Sequence, residues 1–206
     1  MIEPLIMVAF IPTALALNLT PGADMLFCLA QGARAGARAA IAASAGVSAG
    51  AMVHVTLAGL GLGYLVAQHP ILFDVIRYAG VAYLLWLAWK ALRTPLGARD
   101  MPDIRHARAF GDGLIVNLTN PKVALFILAF VPQFVDPGRA VLPQFLILGA
   151  VIAVGGFIIN GAVGAFSGRI ANLMARTPTV GQVLRILSAS IFATLALRLV
   201  LEGRRA

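Results

Sequence analysis

Six long apolar stretches, separated by short polar or charged segments, make up most of the chain. About 20 apolar residues are enough for a helix to cross the hydrocarbon core of a bilayer, so each stretch is predicted to be a transmembrane helix. The predicted spans are Pro4 to Gln31, Ile41 to Val66, Ile71 to Leu92, Gly111 to Val135, Leu142 to Ser167 and Val183 to Leu201. The first is too long for one straight crossing and contains Pro12 and Pro21, so a tilt or a break must accommodate it. An arrangement with five spans is the alternative to six.

The composition agrees with an all-α protein embedded in the bilayer. Of the 206 residues, 60% are hydrophobic and 12% are charged, whereas ordinary soluble domains contain about 45–50% apolar and 25% charged residues. Five or six crossings with short loops use the whole length. We therefore expect a single membrane domain, surrounded by lipid, with no soluble domain.

The net charge of +8 comes from basic residues dispersed over short loops. In a six-span arrangement one side of the membrane carries most of them, namely Arg34, Arg38, Lys90, Arg93, Arg99, Arg105, Arg108, Arg169, Arg176 and Arg185. Because Lys and Arg in short loops stay in the cytoplasm, this side is predicted to be cytoplasmic, with both termini outside. The basic residues form no continuous stripe, so a nucleic-acid partner is not expected.

Two near-identical polar segments interrupt the apolar spans. Asn18-Leu19-Thr20-Pro21-Gly22-Ala23-Asp24 lies in the first span, and Asn117-Leu118-Thr119-Asn120-Pro121-Lys122 lies in the fourth. Backbone groups freed by a helix break in hydrocarbon must be satisfied by neighbouring helices or by a water-filled cavity. One such segment alone is as well explained by a kink for packing, but the matched pair favours a functional role.

The pair also indicates a duplicated fold. Aligning Asn18 with Asn117 also pairs Phe27 with Phe126. Each copy opens a half of three helices, and an odd number of crossings per half makes the two copies run in opposite directions. The sequence thus predicts two inverted three-helix repeats with broken first and fourth helices. The first repeat covers about residues 1–92, a cytoplasmic linker covers about 93–111, and the second repeat covers about 112–206.

Secondary transporters with inverted repeats bind their substrate near the membrane midplane, where discontinuous helices meet. At each break, free N–H groups carry partial positive charge and free carbonyls carry partial negative charge, which suits a zwitterion such as an amino acid. The candidate substrate-binding residues are Asn18, Thr20, Pro21, Gly22, Asp24, Asn117, Thr119, Asn120, Pro121 and Lys122.

Three ionisable residues within the spans are candidates for more specific roles. Asp24 is predicted to load and release a proton during transport, and Lys122 to hold the carboxylate of the substrate. A structural ion pair between the two, or charges that reach to water, is the alternative. His54 is a second candidate for proton coupling, although a lone membrane histidine more often hydrogen-bonds a neighbouring helix.

Other functions have less support in the sequence. An ion or small-metabolite channel or exporter remains the main alternative to an amino-acid carrier. A membrane-embedded enzyme is weaker, because the single cysteine, Cys28, cannot form a thiol relay and no catalytic motif is present. The three histidines are widely separated, so no metal site and no cofactor are expected. A homodimer through glycine-rich helix faces is compatible with the sequence.

Three motifs in order resemble those of the lysine exporter superfamily, most closely its homoserine and threonine exporter branch. They are Leu19 to Asp24, Gly80 to Trp86, and Asn120 to Phe126 continuing through Pro132-Gln133-Phe134. The resemblance covers essentially the whole chain. It implies an exporter of amino acids or related metabolites in a bacterial-type inner membrane, driven by protons through antiport. The motif positions of the family fall on Thr20, Pro21, Gly22, Asp24, Asn120, Pro121 and Lys122.

Overall fold

The computed structural model describes residues 2–68 and 108–169 continuously, and scattered positions between 75 and 93 and between 179 and 200. The side chains of residues 62–68 are not among them. The predicted spans Ile71 to Leu92 and Val183 to Leu201 fall largely outside the described residues. Most of the linker predicted at about 93–111 does so as well.

The two continuous stretches are helical, and they contain no strand. The first holds helices α1 (Pro4–Leu19), α2 (Ala23–Ala35) and α3 (Ala37–Gln68). The second holds α4 (Ala109–Leu118), α5 (Pro121–Phe130), a short 3₁₀ helix (Val131–Phe134) and α6 (Val141–Ala165).

Two of these helices are long and apolar enough to cross a membrane by themselves. They are the 25-residue segments Ala37–Gly61 of α3 and Val141–Ala165 of α6, each about 37 Å long at 1.5 Å per residue. Two further spans are present if each bent pair of helices counts as one crossing. The described part of the chain thus supplies up to four spans, which makes this a multi-pass membrane protein.

Both predicted helix breaks are present, and they bend the chain by similar angles. α1 meets α2 at 55°, and α4 meets the helical segment Pro121–Phe134 at 54°. In each case a proline sets the position of the break, because the residue before it is driven into an extended conformation. Thr20 has ψ 117° before Pro21, and Asn120 has ψ 103° before Pro121. Pro12, in contrast, lies inside α1 without ending it.

Helix α3 packs against α4 and α6, while α2 packs against α3 and α6. Several of these crossings bring backbone against backbone at glycine. A Cβ atom on Gly46 would overlap the carbonyl of Phe110, and one on Gly113 would overlap the carbonyl of Ala43. Small residues allow helices in a membrane to approach this closely. The α3–α4 crossing therefore depends on glycine at both sides.

Aromatic rings join the two halves away from the glycine contacts. Phe10 of α1 meets Phe134 edge-on, with ring centroids 5.0 Å apart, and Phe126 and Phe130 of α5 continue the same cluster. Such ring pairs add roughly 0.5–1.5 kcal/mol each beyond burial. The first broken helix pair is thereby held against the second.

We expect Gly113→Ala to lower the melting temperature of the detergent-solubilised protein, because the added methyl group overlaps the Ala43 carbonyl and overpacking costs about 1–3 kcal/mol. Gly111→Ala is the matched control in the same helix, since its Cβ would meet nothing within 4 Å. Thermal unfolding followed by size-exclusion chromatography compares the two. Equal melting temperatures would show that the α3–α4 crossing is loose.

Candidate functional site

The first break is closed by a lysine from the second. Lys122, in the first turn of α5, places its Nζ 2.9 Å from the carbonyl oxygen of Thr20 and 3.3 Å from that of Leu17, and donates to both. These carbonyls belong to the C-terminal end of α1, which carries partial negative charge. Gly22 leaves room for the ammonium group, because a Cβ there would lie only 3.0 Å from Nζ. The second half thus supplies the cation that the first half needs.

The two halves also meet through a carboxylate and an amide. Asp24 lies in the first turn of α2, and its Oδ2 accepts a 2.9 Å hydrogen bond from Nδ2 of Asn117 near the end of α4. A carboxylate can only accept, so the contact fixes which amide atom of Asn117 faces Asp24. Gly50 of α3 makes space for Asn117, because a Cβ there would lie 2.8 Å from it.

Three buried polar atoms at the two breaks have no hydrogen-bond partner among the described residues. Two are acceptors, Oδ1 of Asp24 and Oδ1 of Asn117, and one is a donor, Nδ2 of Asn120. The side-chain oxygen of Asn120 is used, since it caps α5 by accepting from the backbone N–H of Lys122 at 3.1 Å. Unsatisfied buried groups cost about 1–3 kcal/mol each, so they need an explanation.

Asp24 and Asn117 line a small cavity between the two halves. Its volume is about 20 Å³, which accommodates a water molecule but no amino acid, since one water needs about 10–15 Å³. Residues from α1, α2, α3, α4, α5 and α6 surround it, namely Leu17, Asn18, Asp24, Val47, Ser48, Ala51, Asn117, Val123, Ile152, Ala153, Gly156 and Asn160. This cavity, as the structure describes it, is too small for an amino acid.

Asn18 fastens the first break to α6. Its Nδ2 donates to the carbonyl of Ile152 at 3.0 Å. Gly155 and Gly156 admit the side chain, because Cβ atoms there would lie 2.7 and 3.2 Å from its amide. Asn160 lies one turn further along α6 and also lines the cavity. Asn160 is not among the predicted substrate-binding residues, although its spacing of four residues from Gly156 places both on one face of α6.

The remaining predicted residues occupy different positions. Thr20 is buried, and its hydroxyl donates to the Ala16 carbonyl in its own helix at 2.7 Å. Thr119 is exposed and donates to the carbonyls of Ile115 and Val116 in α4. His54 of α3 contacts α4, with Nε2 3.2 Å from the carbonyl of Asn117. Pro21 and Pro121 set the breaks themselves.

The site therefore brings Asn18, Asp24 and Asn117 to one cavity and places Lys122 and Asn120 beside it, while Thr119 lies apart. The described residues contain no group of three or more His, Cys, Asp or Glu side chains that could hold a metal ion. The arrangement thus offers a small solute two unpaired acceptor atoms, one unpaired donor atom and the buried ammonium group of Lys122.

Comparison with known proteins identifies the class. The family model described as LysE type translocator matches residues 15–203. A homoserine/homoserine lactone efflux protein of Salmonella typhi is 35% identical over 167 residues, covering 79% of this chain and 81% of that protein. An uncharacterized membrane protein of Vibrio cholerae is 37% identical over 145 residues, covering 68% of this chain and 70% of that protein. No solved structure matches the chain. The chain belongs to the LysE-type translocator family, and it is a membrane transporter rather than an enzyme.

Proposed function

We propose that the protein exports amino acids or their derivatives, of the homoserine, threonine and homoserine lactone class, from the cytoplasm in exchange for protons. The family and the efflux protein of Salmonella typhi support the substrate class. The observation that carries the proposal is the meeting of two equally bent helix breaks, at which Asp24 and Lys122 come from opposite copies of one motif.

The proposed architecture is six helices arranged as two inverted three-helix repeats. Its support is the shared Asn-Leu-Thr sequence, the bends of 55° and 54°, and the way the second copy completes the first break. Lys122 covers the carbonyl end of α1, and Asn117 binds the carboxylate of α2. The proposed orientation places the loop after α2, with Arg34 and Arg38, in the cytoplasm.

The unpaired atoms support one orientation of a bound amino acid. Its ammonium group binds the two acceptors, Oδ1 of Asp24 and Oδ1 of Asn117, which lack a donor. Its carboxylate binds the donors on the other side, Nδ2 of Asn120 and the ammonium of Lys122, together with free N–H groups at the start of α2. Asn18, Thr20, Pro21, Gly22 and Pro121 hold these groups in place.

Transport requires the site to open, because a cavity of about 20 Å³ holds no amino acid. In the proposed cycle the two halves separate first toward one side of the membrane and then toward the other, and the short segments at the two breaks absorb the change. We propose that the structure corresponds to a closed form between the two openings.

Proton exchange follows from the chemistry of Asp24 in this proposal. Once protonated, the carboxyl group no longer attracts an ammonium ion, so proton and solute occupy it alternately. His54 is a second candidate for proton coupling, through its contact with the backbone of Asn117. A carrier built this way releases solute outside when Asp24 takes up a proton there.

The first prediction concerns export itself. Cells loaded with homoserine- or threonine-containing dipeptides should release the free amino acid faster when they express the protein. Asp24→Asn should reduce this efflux roughly tenfold or more, because a hydrogen bond to a charged group is worth about 1.5–3 kcal/mol. Asp136→Asn, in an exposed loop, is the matched control and should export normally. Equal efflux from the wild type and from Asp24→Asn at equal abundance would refute the proposal.

The second prediction concerns the carboxylate. Homoserine lactone retains the ammonium group of homoserine but has no free carboxylate. Lys122→Met should therefore reduce homoserine efflux more than lactone efflux, and the ratio of the two rates cancels any loss of folded protein. Arg139→Met removes an exposed cation as a control. If Lys122→Met lowers both rates by the same factor, Lys122 does not hold the carboxylate.

The third prediction concerns the coupling ion. In proteoliposomes loaded with solute, an acidic bath should accelerate efflux, and a protonophore should abolish the acceleration. Internal pH should fall as solute leaves, which a trapped pH-sensitive dye measures. Solute efflux without proton entry, at any pH gradient, would show that the protein is not a proton antiporter.

A further inference from the structure

Gln31, in the third turn of α2, is a fully buried polar side chain outside the predicted site. It is 0% exposed, and neither its Nε2 nor its Oε1 has a hydrogen-bond partner among the described residues. A buried amide with both ends unpaired costs free energy that a leucine of similar volume would not. The residue calls for a role other than packing.

Gln144 shows that this fold can satisfy a buried glutamine. Its Nε2 donates to the carbonyls of Asp136 and Ala140, and its Oε1 accepts from the N–H of Asp136. Gln144 is 6% exposed, so the two side chains are similarly enclosed. Burial alone therefore does not explain why the amide of Gln31 stays unpaired.

Gln31 shares a helix face with Asp24. Seven residues separate them, which is two turns and about 10 Å along α2. On one flank of this face, Cys28 packs against Gly164 of α6. On the other flank, Phe27 and Ala30 belong, as Cys28 also does, to an apolar cluster with residues of α3 and α4. The contact between α2 and α6 at Cys28 and Gly32, here called the seam, thus runs beside Gln31 on the face that carries Asp24.

The seam is closed at the level of Gln31 by contact between α2 and α6. A Cβ on Gly32 would overlap the carbonyl of Gly164, and one on Gly164 would overlap the carbonyl of Cys28. The nearest atoms at these glycines are backbone atoms and the Cβ of Ala40, so a small separation of the two helices would expose the seam. Beyond Gln31 the helix reaches Arg34, which is exposed.

We infer that Gln31 is a second solute-binding position, on the path between Asp24 and the end of α2 that carries Arg34. The primary amide can donate to a carboxylate, hydroxyl or lactone oxygen and accept from an ammonium group. The amide of Gln31 could therefore bind a small polar solute that passes toward Asp24 after α2 and α6 separate. The inference rests on the proposed transport function and adds a position that neither helix break contains.

Gln31→Leu and Gln144→Leu separate this role from a structural one. Gln31→Leu should keep or raise the melting temperature, because it removes an unpaired amide, yet lower efflux per folded molecule roughly fivefold, the effect of one lost hydrogen bond. The loss should appear as a higher half-saturating solute concentration on the Arg34 side. Gln144→Leu should lower the melting temperature and leave efflux per folded molecule unchanged.

Cysteine labelling gives a second measurement that does not depend on efflux. In a Cys28→Ala background, which removes the native thiol, Gln31→Cys should react with a small thiol reagent, and saturating homoserine should slow the reaction. Ala30→Cys is the control, since Ala30 is equally buried but lies in the apolar cluster.

Failure of the proposed transport function and failure of the Gln31 inference give different results. If the wild type exports none of the tested amino acids or lactone, the proposed function is wrong and this inference falls with it. If the wild type exports them, but Gln31→Leu is as active per molecule and Gln31→Cys is neither labelled nor protected, the second binding position is refuted alone.

Discussion

Backbone carbonyls freed by a helix break cannot remain bare inside a bilayer, and in this protein the second break supplies donors to the first. The ammonium of Lys122 reaches across to the end of α1, and the amide of Asn117 reaches the carboxylate at the start of α2. Each contact joins residues about a hundred positions apart. The first break depends on side chains of the second half, so the site and the fold share the same few hydrogen bonds.

This requirement also explains where glycine is needed. Lys122 fits because Gly22 has no side chain, Asn117 fits because Gly50 has none, and Asn18 reaches α6 past Gly155 and Gly156. Polar side chains and close helix packing compete for the same space, and glycine resolves the competition. Substitutions at these glycines would act on the site through displaced neighbours rather than through lost contacts.

The sequence predicted the parts that depend on local chemistry. Prolines after Thr20 and Asn120 fix the breaks, and the apolar stretches around α3 and α6 give the spans. The sequence did not predict the hydrogen-bond partners of the polar side chains, because these depend on how the helices cross. The sequence left open an ion pair between Asp24 and Lys122. In the structure, Asp24 accepts from Asn117, and Lys122 donates to backbone carbonyls. Thr119 is exposed and its aligned counterpart Thr20 is buried, although both hydroxyls donate to the carbonyl four residues earlier in the chain.

The unpaired oxygens around the cavity give the proposed exchange a physical basis. Oδ1 of Asp24 lacks a donor in the closed form, and either a proton or the ammonium group of a solute would supply one. Closing around an empty, ionised site is therefore less favourable than closing around either occupant. A carrier that closes readily when loaded or protonated, and reluctantly when empty, exchanges the two and conducts neither alone. Coupling then needs no separate gate, because the cost of one unpaired carboxylate oxygen already favours the loaded and protonated forms.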